Sequence, residues 1–132
     1  MNLLLDTHTF LWALFAPEKL SKRATEKIKS SYNNASVSVL TFWEVSLKYG
    51  IGKLELKGVG PEELPYYANQ LDLGVLSISP AEAATFHRLP RLSHKDPFDR
   101  FIIWQAIQRK LTLVSKDRAF KAYREFGLNT YW

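Results

Sequence analysis

Three consecutive leucines, Leu3, Leu4 and Leu5, followed at once by Asp6, constrain this chain more than any other feature. A short unbroken apolar run suits a strand covered on both faces, since a strand with one wet face alternates apolar and polar residues. Ala35 to Leu40, Val75 to Ile78, Leu111 to Ser115 and Leu128 to Tyr131 also read as strands, with helical signals between them. Strands in alternation with helices imply parallel neighbours, because parallel pairs need long crossover connections. The expected architecture is therefore α/β: a central parallel sheet of about five short strands flanked by helices on both faces, in one domain over residues 1–132.

The helices announce themselves by their caps. Thr7 to Phe15 follows the first strand, and Ser21 caps a second helix to about Ser31. Thr41-Phe42-Trp43-Glu44 has the spacing of a capping box opening a helix to about Tyr49, and Ser79-Pro80-Ala81-Glu82 repeats the pattern with proline at the first helical position. The glycines from Gly50 to Gly60 mark a loop, followed by a short helix from Pro61 to about Asn69. Phe101, Ile102, Ile103, Trp104, Ala106 and Ile107 predict a buried helix, and Arg118 to Phe126 a last one before Gly127.

Composition narrows the chemistry. Cysteine is absent, which excludes disulfides, thiol nucleophiles and cysteine-ligated metals, and the histidines His8, His87 and His94 are too scattered for a local zinc motif. The longest apolar stretch, Phe10 to Ala16, falls far short of the ~20 residues that span a bilayer, and no basic leader precedes Asp6. A cytoplasmic protein without a membrane partner is expected. Eighteen Lys and Arg against thirteen Asp and Glu give a net charge of +5, which favours a polyanionic partner through counterion release.

Asp6, Glu44, Asp99 and Asp117 each fall just past a strand's C-terminal end or in the first turn of a helix. Those ends converge at one edge of an open parallel sheet, where ligands bind, so four acids distant in sequence meet there. Carboxylates in one pocket repel unless a cation joins them, and Mg²⁺ or Mn²⁺ suits a cluster of oxygen ligands better than zinc does. Such a metal activates water and stabilises charge on a phosphate, which makes phosphodiester hydrolysis the natural reaction. Each acid also has a structural reading. Glu44 completes a capping box, Asp96 caps the helix at Pro97 with Asp99 three residues on, and Asp117 bonds nearby amides, while dipole interactions of this kind are worth about 0.3–1 kcal/mol. Only Asp6 has no evident structural errand.

Leu3-Leu4-Leu5-Asp6-Thr7-His8, Glu44 within Ser38 to Leu47, His94-Lys95-Asp96-Pro97-Phe98-Asp99-Arg100 and Leu113-Val114-Ser115-Lys116-Asp117 together resemble a PIN domain, specifically the VapC type of toxin ribonuclease. The resemblance spans the chain in order, and Asp-Pro-Phe-Asp-Arg is its most distinctive segment. It implies a PIN fold, an Mg²⁺- or Mn²⁺-dependent endoribonuclease acting on structured RNA such as tRNA, and a cognate antitoxin. A homodimer, or a higher toxin–antitoxin assembly, is the oligomer it implies. Matched residue by residue, Asp6, Glu44 and Asp99 are the three central acids and Asp117 the fourth, as catalytic residues and metal ligands. Asp96 is an additional acid with a capping and outer role, Thr7 steadies Asp6 or a water, and Ser115 matches a small hydroxyl residue two positions before the fourth acid.

Arg100, Lys116 and Arg118 flank the acids in sequence and are candidates for RNA phosphates. His8 and His94 read as structural histidines near the site, Trp12, Trp43 and Trp104 as core or dimer interface, and Lys48 as an ordinary helix-surface partner of Glu44. A dehalogenase-like phosphatase needs a second Asp where His8 stands, and no Gly-x-Ser-x-Gly supports a serine hydrolase. The alternative from another class is a PIN-like RNA-binding or protein-interaction module without turnover.

Overall fold

The computed structural model describes residues 1–132. Its elements in chain order are β1 (Asn2–Leu5), α1 (Thr7–Phe15), α2 (Lys22–Lys29), β2 (Asn34–Ser38), α3 (Val39–Gly50), α4 (Leu64–Gln70), β3 (Gly74–Leu76), α5 (Pro80–Thr85), α6 (Pro97–Arg109), β4 (Thr112–Val114) and β5 (Asn129–Tyr131). A 3₁₀ stretch, Arg118–Phe126, connects the last two strands. All five strands are parallel, in the order β3-β2-β1-β4-β5.

The leucine run explains the layers. Successive side chains on a strand point to opposite faces. Leu3 and Leu5 join Val37 and Val114 against Phe10 of α1, Ala24 of α2, and Leu64 and Ala68 of α4. Leu4, paired in register with Leu113, turns the other way onto Ile102 and Ile103 of α6 and onto Phe120 and Tyr123 of the 3₁₀ stretch. All three leucines are fully buried, and each such side chain contributes about 1.5–3 kcal/mol of transfer free energy. The doubly covered sheet expected from the sequence is the one observed.

Strand order reverses at β1. The chain runs outward through β2 and β3 on one side, then returns to lay β4 and β5 on the other. The C-terminal ends of β1 and β4 therefore flank the switch point, where a crevice opens in folds of this kind. Pairing there continues past the strands: the Asp6 amide and the Thr9 hydroxyl both donate to the Val114 carbonyl, at 3.3 and 3.0 Å.

The caps at Ser21 and Ser79 form as the sequence indicates, Ser79 reciprocally with Glu82. The box at Thr41–Glu44 does not. β2 ends at Ser38, whose hydroxyl accepts the Leu40 amide at 3.1 Å and starts α3 at Val39. Ser38 also donates to Gln105 Oε1 at 2.6 Å, which ties this turn to α6. Thr41 and Glu44 thus lie inside the helix, both buried, and Glu44 stands in the second turn rather than the first. The predicted last helix is wound as 3₁₀, capped by Asp117 and closed by Gly127 at φ +101°, a conformation that glycine adopts without steric cost.

Candidate active site

Asp6 follows β1 directly, and local folding gives it the structural errand that the sequence did not reveal. Its Oδ1 accepts the Thr9 amide at 2.9 Å as the N-cap of α1, while Oδ2 accepts the Ser115 hydroxyl at 2.5 Å from across the switch point. Ser115 in turn accepts the Asp117 amide at 3.1 Å, so one buried hydroxyl links the two acids that follow β1 and β4. Asp117 caps the 3₁₀ stretch through the Ala119 amide at 2.9 Å, leaving its other oxygen free.

Asp99 arrives from the first turn of α6, which Asp96 caps by accepting the Asp99 amide at 3.0 Å. Its Oδ2 meets His94 Nε2 at 2.9 Å. His94, Asp99 and Asp117 bring ligand atoms within 4.8 Å of one another. Asp6, Asp99 and Asp117 line a single cleft of about 470 Å³, together with His8, Trp12, Lys116, Arg118 and Phe120.

Glu44 does not line that cleft. Its carboxylate is buried, accepts the Thr7 hydroxyl at 2.7 Å, and pairs with Lys48 at 2.5 Å. Thr7 therefore serves Glu44 rather than Asp6, with Thr41 at 3.1 Å completing the hydroxyl pair. Lys48 is no ordinary surface partner either, because the acid it neutralises is only 4% exposed in its side chain. Glu44 and Asp96 reach the site through their fields, both acting on Asp99.

The electrostatics fit a cation. Burial raises the Asp6 carboxyl above its ordinary range, against the bonds from Ser115 and Thr9. Burial, then repulsion by Asp96 and Glu44, pushes Asp99 up to about 6 despite the His94 contact. Lys48 is the only lysine or arginine that bonds any of these acids. A divalent ion would relieve the repulsion, and Asp6, Asp99 and Asp117 are the acids lining the cleft that would hold it. His94 adds an imidazole to what the sequence suggested would be an all-oxygen cluster. The signal for it was its place five residues before Asp99, in the same segment as the paired aspartates.

One further expectation changes. Arg100 is turned away: its guanidinium donates to the Leu89 and Pro90 carbonyls at 3.1 and 3.4 Å and lies over the Phe86 ring. Lys116 and Arg118 do line the cleft. Of the tryptophans, Trp104 is core, with its indole N–H donating to the Glu82 carbonyl at 3.2 Å, whereas Trp43 is 58% exposed and Trp12 forms part of the cleft wall.

A PIN domain family model matches residues 3–125. The chain is 28% identical over 131 residues to Ribonuclease VapC22 of Mycobacterium tuberculosis, covering 99% of this chain and 98% of that protein. Among solved structures it superposes on VapBC2 from Rickettsia felis, bound to a DNA fragment from their promoter, with a TM-score of 0.71 at 18% identity, over 99% and 98% of the two chains. FitAcB from Neisseria gonorrhoeae superposes with a TM-score of 0.63 at 19% identity, over 98% and 96%. At these identities the structural likeness establishes the shared five-stranded parallel fold.

Proposed function

Because this chain belongs to the PIN domain family, we propose that it is a divalent-metal-dependent endoribonuclease of the VapC type, the toxin of a toxin–antitoxin pair, acting on structured RNA such as tRNA. The observation that carries this reading is the convergence of Asp6, Asp99 and Asp117 on one cleft at the switch point of the sheet. Its match along nearly the whole length of a protein named a ribonuclease supports the same activity.

In this reading Asp6, Asp99 and Asp117 would hold Mg²⁺ or Mn²⁺, with Glu44 buried behind them between Thr7 and Lys48. When bound, the metal supplies Lewis-acid activation of water and offsets charge on the scissile phosphate. The chain's own groups do the rest. The Ser115 hydroxyl and the Thr9 amide fix both oxygens of Asp6, and His94 fixes Asp99, so the carboxylates are set before substrate arrives. Lys116 and Arg118 bind phosphates at the cleft wall, whereas Arg100, held at the Leu89 and Pro90 carbonyls, does not line it. Asp96 remains a capping residue whose field reaches Asp99.

A cytoplasmic location and an antitoxin partner belong to the same proposal, as does a homodimer of chains that each form one domain over residues 1–132. No helix is long and apolar enough to cross a membrane. Trp43, Leu47 and Ile51, spaced by four and all exposed, give the α3 end an apolar stripe suited to a protein partner.

The test is incubation of antitoxin-free protein with a pool of structured RNAs and Mg²⁺ or Mn²⁺, beside a chelator control and the variants Asp6→Asn and Asp99→Asn. Discrete cuts lost in all three controls are expected. Folded, metal-binding wild type that cuts nothing would move the reading to a binding module without turnover, and cutting by both variants would refute the site.

A further inference from the structure

A second cleft, of about 510 Å³, lies beside the acid cleft and is lined by Arg23, Lys116, Arg118, Lys121 and Arg124, with Asp117 its single acid. None of these five cations takes part in an ion pair within the chain, whose salt bridges are Lys48–Glu44, His94–Asp99 and Arg109–Glu82. Like charges gathered without counterions repel, and a bound polyanion removes that repulsion.

Their arrangement has a local cause. Arg118, Lys121 and Arg124 are spaced by three along the 3₁₀ stretch Arg118–Phe126. With three residues per turn, side chains at this spacing eclipse one another, so the winding sets three cations in a row along one face, about 6 Å apart in rise. Arg23 comes from α2, where it lies 4.8 Å from the centre of the Tyr131 ring, and Lys27 lies 4.6 Å from the same ring.

The two clefts adjoin. Lys116, Asp117 and Arg118 line both, and Ser115, which holds Asp6, lines the second. Aromatic rings stand at the junction. Trp132, on the wall of the cationic cleft, meets Trp12, on the wall of the acid cleft, edge-on at 5.9 Å, and Lys116 lies over Trp12.

We propose that the cationic cleft is a second nucleic-acid subsite that carries single-stranded RNA away from the acid site on one side of the scissile bond. Arg23, Lys121 and Arg124 hold its phosphates, and the Trp12–Trp132 pair offers rings for unstacked bases. A cationic groove interleaved with aromatic faces is how single strands are held without base-specific readout. An acidic protein segment fits less well, because its path onward would meet the carboxylates of Asp6 and Asp99, whereas a phosphodiester chain has a reason to reach them. This inference rests on the ribonuclease reading of the acid cleft.

The experiment measures binding of a labelled single-stranded RNA by fluorescence anisotropy across a salt series, using the full chain carrying Asp6→Asn so that substrate is not consumed. Adding Lys121→Gln and Arg124→Gln should raise Kd about tenfold at low salt and reduce the slope of log Kd against log salt by about 1.4, at about 0.7 for each phosphate no longer neutralised. The exposed loop lysines Lys53 and Lys57, changed to Gln as a control, should alter neither. An unchanged slope in the Lys121/Arg124 double variant would overturn the subsite. So would binding of an acidic peptide that the double variant loses while RNA binding stays the same. The same double substitution in the otherwise native chain should raise the KM for RNA cleavage. If the wild type cleaves and the double variant matches it in KM and salt slope, the subsite fails and the ribonuclease reading stands. If the wild type cleaves nothing yet the slope falls as expected, the ribonuclease reading fails and the groove stands.

Discussion

At Asp6 one carboxylate oxygen accepts the Thr9 amide and the other the Ser115 hydroxyl, so a single side chain both starts α1 and faces the cleft. The two roles separate on substitution. Asparagine caps a helix about as well as aspartate, so Asp6→Asn should leave the melting curve within about 1 kcal/mol of wild type while metal-dependent cleavage falls to background. A large loss of stability in circular dichroism would contradict this. Ser115 acts through Asp6 and Asp117 rather than on substrate. Ser115→Ala should therefore weaken Mn²⁺ affinity, read by calorimetry, by about 10–100-fold, the usual cost of losing a group that orients a metal ligand. Unchanged affinity would reduce Ser115 to a packing residue.

α5 and α6 are joined by a buried acid whose capping role was plain in the sequence and whose other partners were not. Glu82 closes the reciprocal cap with Ser79, and it also receives Arg109 from the last turn of α6 at 2.7 Å and Gln105 at 3.5 Å. Burial alone would raise its carboxyl, but Arg109 and the Ser79 amide outweigh that and hold it down at about 2. Arg109→Met strands this carboxylate. A fully buried pair broken in this way costs about 3–5 kcal/mol, and because Arg109 keeps 31% of its side-chain exposure we expect roughly 2–3 kcal/mol by urea unfolding. A change under about 0.5 kcal/mol would show that the pair contributes specificity alone. Helix α3 starts before its capping-box spacing indicates. Thr41 and Glu44 have capping-box spacing, but the hydroxyl of Ser38 reaches the Leu40 amide first, and Gln105 on a distant helix holds Ser38 in place.

Over the whole molecule, folding brings acids from β1, β4 and α6 to one crevice, and the burial of Asp99 there, with the fields of Asp96 and Glu44, should make stability depend on pH and metal together. Asp99 is raised from 3.8 to about 6, by burial and then by Asp96 and Glu44, so the native state binds more protons than the unfolded chain in that interval. Stability from this group is present below about pH 4 and lost as pH rises through about 6. With chelator present, the melting temperature should accordingly be higher at about pH 5 than at about pH 7. Saturating Mg²⁺ or Mn²⁺ at neutral pH should raise it again, by about 2.7 kcal/mol of stability at a hundredfold excess over Kd. Differential scanning fluorimetry across both variables checks this, and a metal-insensitive flat profile would contradict the acid cluster.

The layered α/β fold is legible in the sequence, because strand-like runs alternate with helical signals and an apolar run without polar alternation suits a strand covered on both faces, as Leu3, Leu4 and Leu5 are. The sequence also supplied the candidate acids, since a carboxylate just past a strand end is visible from local pattern alone. Which of them share a cleft follows from tertiary packing: Asp6, Asp99 and Asp117 line it, whereas Glu44 is buried with Thr7 and Lys48. The same packing turned Arg100 to the Leu89 carbonyl, put His94 on Asp99, and aligned Arg118, Lys121 and Arg124 by winding their segment as 3₁₀. Strand order and side-chain direction arise from contacts between residues far apart in the chain, such as Ser115 with Asp6, and local periodicity carries no record of such contacts.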